Sequence, residues 1–256
     1  MPSGIDETAL RAAAEALAGA RSLVALTGAG VSAESGIPTF RDAMTGLWAK
    51  FDAQRLATPE AFERDPALVS RWYDERRMRC ARCVPNAGHS ALASIERVMT
   101  ARGRSFTLLT QNVDRLHRRA GSERVIELHG SLFAWRCTVT GTERDDLSMP
   151  LPAYPLQSEA GGIYRPGVVW FGEPLPAGAI RRAARAVESC DLFLSIGTSG
   201  VVYPAAGFIE SAAGVGARII EINPEPTPLS HLATWRFTAP SGEALPQLVG
   251  RAFQNS

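Results

Sequence analysis

The apolar positions of this chain follow two periodicities that alternate along its length. Residues 8–20 carry Leu10, Ala14 and Leu17 at helical spacing, which predicts an opening helix. A short apolar run follows at about 22–27. Others fall at 106–110, 125–128, 192–196 and 218–222, and segments with helical character at 86–102, 177–189 and 204–215 separate most of them. Runs this short and this apolar predict strands buried on both faces. Their alternation with helices predicts an α/β fold with a parallel sheet and helices on both faces.

Two stretches break the alternation. Residues 43–85 hold several aromatics, three prolines and charged helical patches, and residues 131–172 are rich in Pro and Gly and read as irregular. They are expected to be insertions that build a small second domain over the ligand edge of the sheet. The sheet domain would then comprise about 7–42, 86–130 and 173–256. Open α/β sheets bind ligands beyond the carboxyl ends of their strands, so a cleft between the two parts is the expected site.

Composition narrows the class without naming a chemistry. The 256 residues are 45% hydrophobic and 21% charged, with a net charge of +1, which removes the case for a general nucleic-acid or membrane surface. No apolar run approaches the roughly 20 residues of a membrane span. The N-terminus, Met1-Pro2-Ser3-Gly4-Ile5-Asp6-Glu7, has neither a basic region nor a hydrophobic one. Four cysteines in a chain of this length point to a reducing, cytoplasmic setting. A monomer is the expectation for the assembly.

Chemistry enters where the strands end. The run at 22–27 leads into Gly28-Ala29-Gly30-Val31-Ser32-Ala33-Glu34-Ser35-Gly36-Ile37-Pro38-Thr39-Phe40-Arg41-Asp42. Glycines at 28 and 30 allow close approach to a pyrophosphate, with N–H groups beside it to bind it. Three more strand ends carry Thr110-Gln111-Asn112-Val113-Asp114-Arg115-Leu116-His117, Leu128-His129-Gly130-Ser131 and Gly197-Thr198-Ser199. A fifth carries Ile222-Asn223-Pro224-Glu225. Each cluster alone would be an ordinary polar turn. Together they can converge on one ligand.

These segments, with Val168-Val169-Trp170-Phe171-Gly172-Glu173, resemble the sirtuin family of NAD-dependent protein deacylases in order, spacing and wording from about residue 21 to 250. The resemblance implies a Rossmann-like domain, a small domain built from two insertions, and NAD cleavage coupled to removal of an acyl group from lysine. It places Gly28, Ala29, Gly30 and Ser32 at the pyrophosphate, and Thr39, Phe40 and Arg41 over the reacting ribose. Gln111, Asn112, Val113 and Asp114 would line the ribose and nicotinamide pocket. Gly197, Thr198, Ser199, Asn223, Glu225 and Ser241 would face the adenosine half.

In that chemistry an acyl amide oxygen attacks an oxocarbenium-like ribose carbon, and a ribose hydroxyl later needs a base. His129 is the candidate base, since imidazole titrates near the operating pH, and Asn112 is its expected catalytic neighbour. His117 is expected to be structural. An acyl-lysine peptide would lie as an extended strand against Val169, Trp170 and Phe171.

The acyl class is read from Arg71-Trp72-Tyr73-Asp74-Glu75-Arg76-Arg77. Tyr73 and Arg76 share a helix face, and a phenol with a guanidinium makes a carboxylate clamp. Sirtuins that remove succinyl, malonyl and glutaryl groups carry a Tyr-x-x-Arg pair here and a small residue at the position of Ala57. The chain therefore looks like class III, bacterial type.

It departs from the family at zinc. Most sirtuins hold a structural zinc with two Cys-x-x-Cys pairs. Here Cys137-Thr138-Val139-Thr140 retains one cysteine, and residues 150–162 hold none. No zinc is expected, and Leu151, Tyr154 and Leu156 are expected to hold the segment by packing. Cys80-Ala81-Arg82-Cys83 is half a metal site at most. The alternative readings are a deacetylase of broader range, an ADP-ribosyltransferase, and a non-catalytic NAD-binding module. A hydride-transfer dehydrogenase would leave the long tail after the glycines unexplained.

Overall fold

A computed structural model describes residues 6–38 and 53–254. The chain opens with α1 (Glu7–Gly19), β1 (Ser22–Thr27) and the single-turn α2 (Gly30–Ala33). Then come α3 (Ala53–Leu56), α4 (Pro59–Arg64), α5 (Pro66–Arg82) and α6 (Ala87–Ala101). The middle of the chain runs β2 (Ser105–Thr110), α7 (Leu116–Arg119), β3 (Val125–Glu127), β4 (Gly130–Cys137), β5 (Glu143–Arg144) and β6 (Tyr164–Val168). It ends with α8 (Ala177–Glu188), β7 (Leu192–Ile196), α9 (Gly207–Gly214), β8 (Arg218–Ile222), β9 (Trp235–Phe237) and α10 (Ser241–Phe253).

Six strands form a parallel sheet in the order β3-β2-β1-β7-β8-β9. This is the doubly wound Rossmann order, and the direction of winding reverses between β1 and β7. Side chains alternate across each strand. Leu23 and Ala25 enter one core with α1, α6 and α10, while Val24 and Leu26 enter a second with α8 and α9. Both faces are covered, which is why these strands read as unbroken apolar runs.

Local signals set the helix starts. Asp6 caps α1, and Thr58 and Asp65 cap α4 and α5, each followed by proline at the first helical position. Asn86 and His89 close a reciprocal capping box on α6.

The segment 131–172, expected to be irregular, instead contributes a three-stranded antiparallel sheet in the order β5-β4-β6. Its glycine and proline signals belong to an edge strand. Pro166 and Gly167 lie in β6, and a Cβ on Gly167 would stand 2.7 Å from Ala134. This sheet packs with α4 and α5 around Phe62, Trp72, Tyr73, Trp135 and Trp170. Leu151, Tyr154 and Leu156 join that core as expected.

Packing is not the whole account of that segment, because a buried polar network ties it to α5. Asp74, fully buried, pairs with Arg77 at 2.6 Å and accepts from Leu151 N at 2.7 Å and Tyr154 Oη at 2.6 Å. Arg77 also donates to Ser148 O at 2.6 Å. At the end of β4, Cys137 Sγ lies 3.0 Å from Ser158 Oγ. Hydrogen bonds from Ser158 and Thr140 pull the thiol down to about 6. One thiol with two hydroxyls does not match a four-coordinate zinc set of Cys and His. Among the described residues no group of three His, Cys, Asp or Glu side chains could hold a metal. No described helix is long and apolar enough to cross a membrane.

Candidate active site

The reversal between β1 and β7 brings two strand-end turns into backbone contact. Gly28 N donates to Ile196 O at 3.0 Å, and Gly30 N to Gly197 O at 2.9 Å. A Cβ on Gly30 would meet Gly197 Cα at 2.7 Å, and one on Gly197 (φ +57°) would meet Val31 N at 2.5 Å. These glycines therefore serve first to let the two turns close on each other.

That closure revises the expected phosphate donors. The N–H groups of Gly28, Gly30, Val31 and Ser32 are all spent within the protein. Ala29, Thr198 and Ser199 keep backbone N–H groups without a partner among the described residues. An anion in this crevice has those donors available, so the cradle fits a dinucleotide with fewer amides than the glycine pattern implied.

The turn after β2 locks onto the first. Gln111 N donates to Thr27 O, and Asn112 Nδ2 donates to Gly28 O and Ser32 Oγ, both at 3.1 Å. Ser32 Oγ donates to Asp114 Oδ2 at 2.7 Å, and Leu116 N donates to Asp114 Oδ1 at 2.8 Å. Burial pushes the Asp114 carboxyl up, while these two donors hold it down. Gln111 Nε2 donates to Thr198 Oγ1 at 2.9 Å, and Asn223 Nδ2 to Thr198 O at 3.2 Å. Residues from four strand ends thus form one hydrogen-bonded floor.

His129 follows β3, and its Nδ1 lies 2.9 Å from Gln111 O. Donation by Nδ1–H to that carbonyl leaves the Nε2 lone pair available as a base. Burial lowers the imidazole pKa, and the Gln111 carbonyl partly restores it. Val169 N donates to His129 O, and Phe171 N to Ala57 O, both at 2.9 Å. His129, Ala57 and the 169–171 segment are therefore drawn together. Val113 O accepts from Leu132 N, which joins the pocket turn to the small sheet.

Tyr73 is buried against Trp170, with ring centroids 6.4 Å apart. Arg76 lies over the rings of Trp72 and Tyr73, at 4.6 and 5.6 Å. Among the described residues no carboxylate forms a salt bridge with it.

The remaining expectations fall as follows. Thr39, Phe40 and Arg41 lie outside the described residues. Ser199 and Glu225 are exposed. Ser241 starts α10, where its hydroxyl donates to Glu34 Oε2 at 3.3 Å. The N–H groups of Val169, Trp170 and Phe171 are all used internally, Trp170 N by Glu173 at 2.9 Å. A peptide strand docking here would have to use other groups of this segment, which narrows the expected pairing.

Beneath the floor lies a pair of neutral histidines that the sequence left without a pairing. The rings of His89 and His117 lie 4.8 Å apart at a tilt of 54°, His117 Nε2 is 2.9 Å from Thr27 Oγ1, and His89 Nε2 is 3.4 Å from Ser32 Oγ. Burial lowers His89 to about 4; burial and then His89 lower His117 to about 3. Of the two, His117 was expected to be structural, and His89 takes part in the capping box that starts α6.

Comparison with known proteins shows the family. The Sir2 family model matches residues 28–204. NAD-dependent protein deacylase 1 of Pseudomonas aeruginosa is 49% identical over 253 residues, covering 95% of this chain and 99% of that protein. A crystal structure of a Sir2 homolog–NAD complex superimposes with a TM-score of 0.88 at 45% identity, covering 98% of this chain and 95% of that one. A Sir2 structure holding a deacetylated p53 peptide and 3′-O-acetyl ADP-ribose has a TM-score of 0.82 at 32% identity, covering 93% and 96%. The chain belongs to the Sir2 family, the sirtuins. It is an enzyme of the NAD-dependent protein deacylase class.

Proposed function

We propose that this enzyme removes acidic acyl groups (succinyl, malonyl, glutaryl) from protein lysines, releasing nicotinamide and 2′-O-acyl-ADP-ribose. The observation that carries the acyl class is the pairing of Tyr73 with Arg76 one helical turn later, next to Ala57 and Trp170. Bound NAD supplies the ribose carbon that is attacked and the hydroxyl that receives the acyl group. The protein's own residues do the rest. Asn112, with both N–H bonds spent on the floor, presents its amide oxygen as an acceptor. Asp114 holds Ser32 in place, and the p53-peptide complex of a relative supports a lysine peptide as the second substrate.

An acetyl group offers Arg76 no anion, whereas a terminal carboxylate pairs with both clamp groups. Each charge-assisted hydrogen bond contributes about 1.5–3 kcal/mol. Tyr73→Phe with Arg76→Met is therefore expected to lower the succinyl-to-acetyl ratio of kcat/KM by on the order of 100-fold. Mass-spectrometric deacylation of one peptide carrying each acyl group measures it. An unchanged ratio rejects the acidic-acyl reading and leaves a broad-range deacetylase.

We also propose that the small domain holds no structural zinc, with the Cys137–Ser158–Thr140 contacts and the Asp74 network in its place. Elemental analysis of the purified protein is expected to find zinc far below one per chain. A stoichiometric zinc would overturn this.

A further inference from the structure

Trp170 carries a buried donor with no acceptor. Its indole Nε1 makes no hydrogen bond among the described residues. Such a group costs about 1–3 kcal/mol unless something meets it. Its orientation is set from several sides. The Arg165 guanidinium sits 3.5 Å over the ring, held there by a bidentate pair with Glu173 at 2.7 and 2.9 Å. Phe62 packs at 5.3 Å and 42°, and Trp170 N donates to Glu173. Because Glu173 neutralises Arg165, that guanidinium is not the receptor for a second anion.

The indole faces the clamp. Burial pushes the Tyr73 phenol up to about 12, while Arg76 and then the Trp170 N–H beside its oxygen pull the other way. The two rings lie 6.4 Å apart, centroid to centroid, at 41°. Two other buried indoles, Trp72 and Trp135, also lack acceptors. Trp170 differs in its place: its chain neighbours are bonded to His129 O and Ala57 O, so it stands between the base and the acyl-pocket alanine.

We propose that Trp170 Nε1–H is a third donor to the terminal carboxylate of the acyl chain, beside Tyr73 Oη and Arg76. This rests on the acidic-acyl reading and deepens it. A carboxylate has about four acceptor positions, enough for all three groups. A donor left unsatisfied when acetyl is bound and met when succinyl is bound makes Trp170 a specificity residue.

Trp170→Phe keeps an aromatic ring for Arg165 and Phe62 and removes the donor. The succinyl-to-acetyl ratio of kcat/KM is expected to fall about tenfold, chiefly through KM for the succinyl peptide. General damage would lower both substrates together and leave the ratio alone. A ¹H–¹⁵N indole spectrum of the ¹⁵N-labelled wild type gives a second readout. One of its five tryptophan signals, assigned by its loss in Trp170→Phe, should move downfield with succinyl-lysine peptide plus ADP-ribose and stay with the acetyl peptide. If the wild type and the Tyr73/Arg76 variant share one acyl ratio, the acidic-acyl reading fails and this proposal falls with it. If that variant shifts the ratio while Trp170→Phe does not, or the indole signal ignores the acyl group, this proposal alone is overturned.

Discussion

His129→Ala is expected to reduce NAD-dependent deacylation by on the order of 1000-fold while peptide binding persists. The magnitude follows from general-base catalysis, which contributes about 10²–10⁴-fold. The direction follows from geometry. Nδ1 is committed to Gln111 O, so Nε2 is the nitrogen free to take a proton. Burial lowers the pKa, so the ring is neutral and competent across the neutral range. The rate should therefore be level around neutral pH and fall only below the ordinary histidine value of about 6.5. The fall reflects protonation of Nε2. Single-turnover rates from pH 5 to 9 for wild type and variant measure both effects. A variant within tenfold of wild type, or an acid limb above neutrality, would remove His129 from the base role.

Asp74→Ala is expected to destabilise the fold by about 3–5 kcal/mol, the cost of leaving a buried charge without its partner. Arg77 is 2% exposed, and removing Asp74 strips the one carboxylate that pairs with it among the described residues. At roughly 2–4 °C per kcal/mol for a domain of this size, Tm should fall by about 6–20 °C. Tyr154→Phe removes one hydrogen bond from the same carboxylate and should cost about 1 kcal/mol. Thermal unfolding followed by circular dichroism tests the pair. If Asp74→Ala and Tyr154→Phe cost the same, the network does not clamp residues 148–154 to the helix that carries Asp74. Because Asp74 sits between Tyr73 and Arg76, the helix that carries those two residues and the segment 148–154 are held by one set of contacts.

Much of the sheet was legible because its strands are buried on both faces. The runs at 22–27, 106–110, 192–196 and 218–222 match strands to within a residue. The small sheet was not legible. Pro166 and Gly167 read as loop residues in sequence, and only pairing with β4 shows that an edge strand tolerates them. The three-residue β9 lacks the length for a periodic signal, and Pro246 inside α10 masks that helix. In the site, His129 and the Gln111–Asp114 turn stood out because each follows an apolar run. The contact between His89 and His117 did not, since nothing local in sequence relates residue 89 to residue 117.

The sequence by itself determined the class of fold, the order of the polar clusters and the family. Those properties reside in local periodicity and in short contiguous motifs. Tertiary structure alone decided how those groups are spent. The glycines at 28, 30 and 197 close one turn against another, which leaves Ala29, Thr198 and Ser199 as the open amides among the described residues. Asp74 and Arg77 meet a segment some 70 residues away. Hydrogen-bond partners, burial and desolvation depend on what distant parts of the chain bring together, and no local pattern records that.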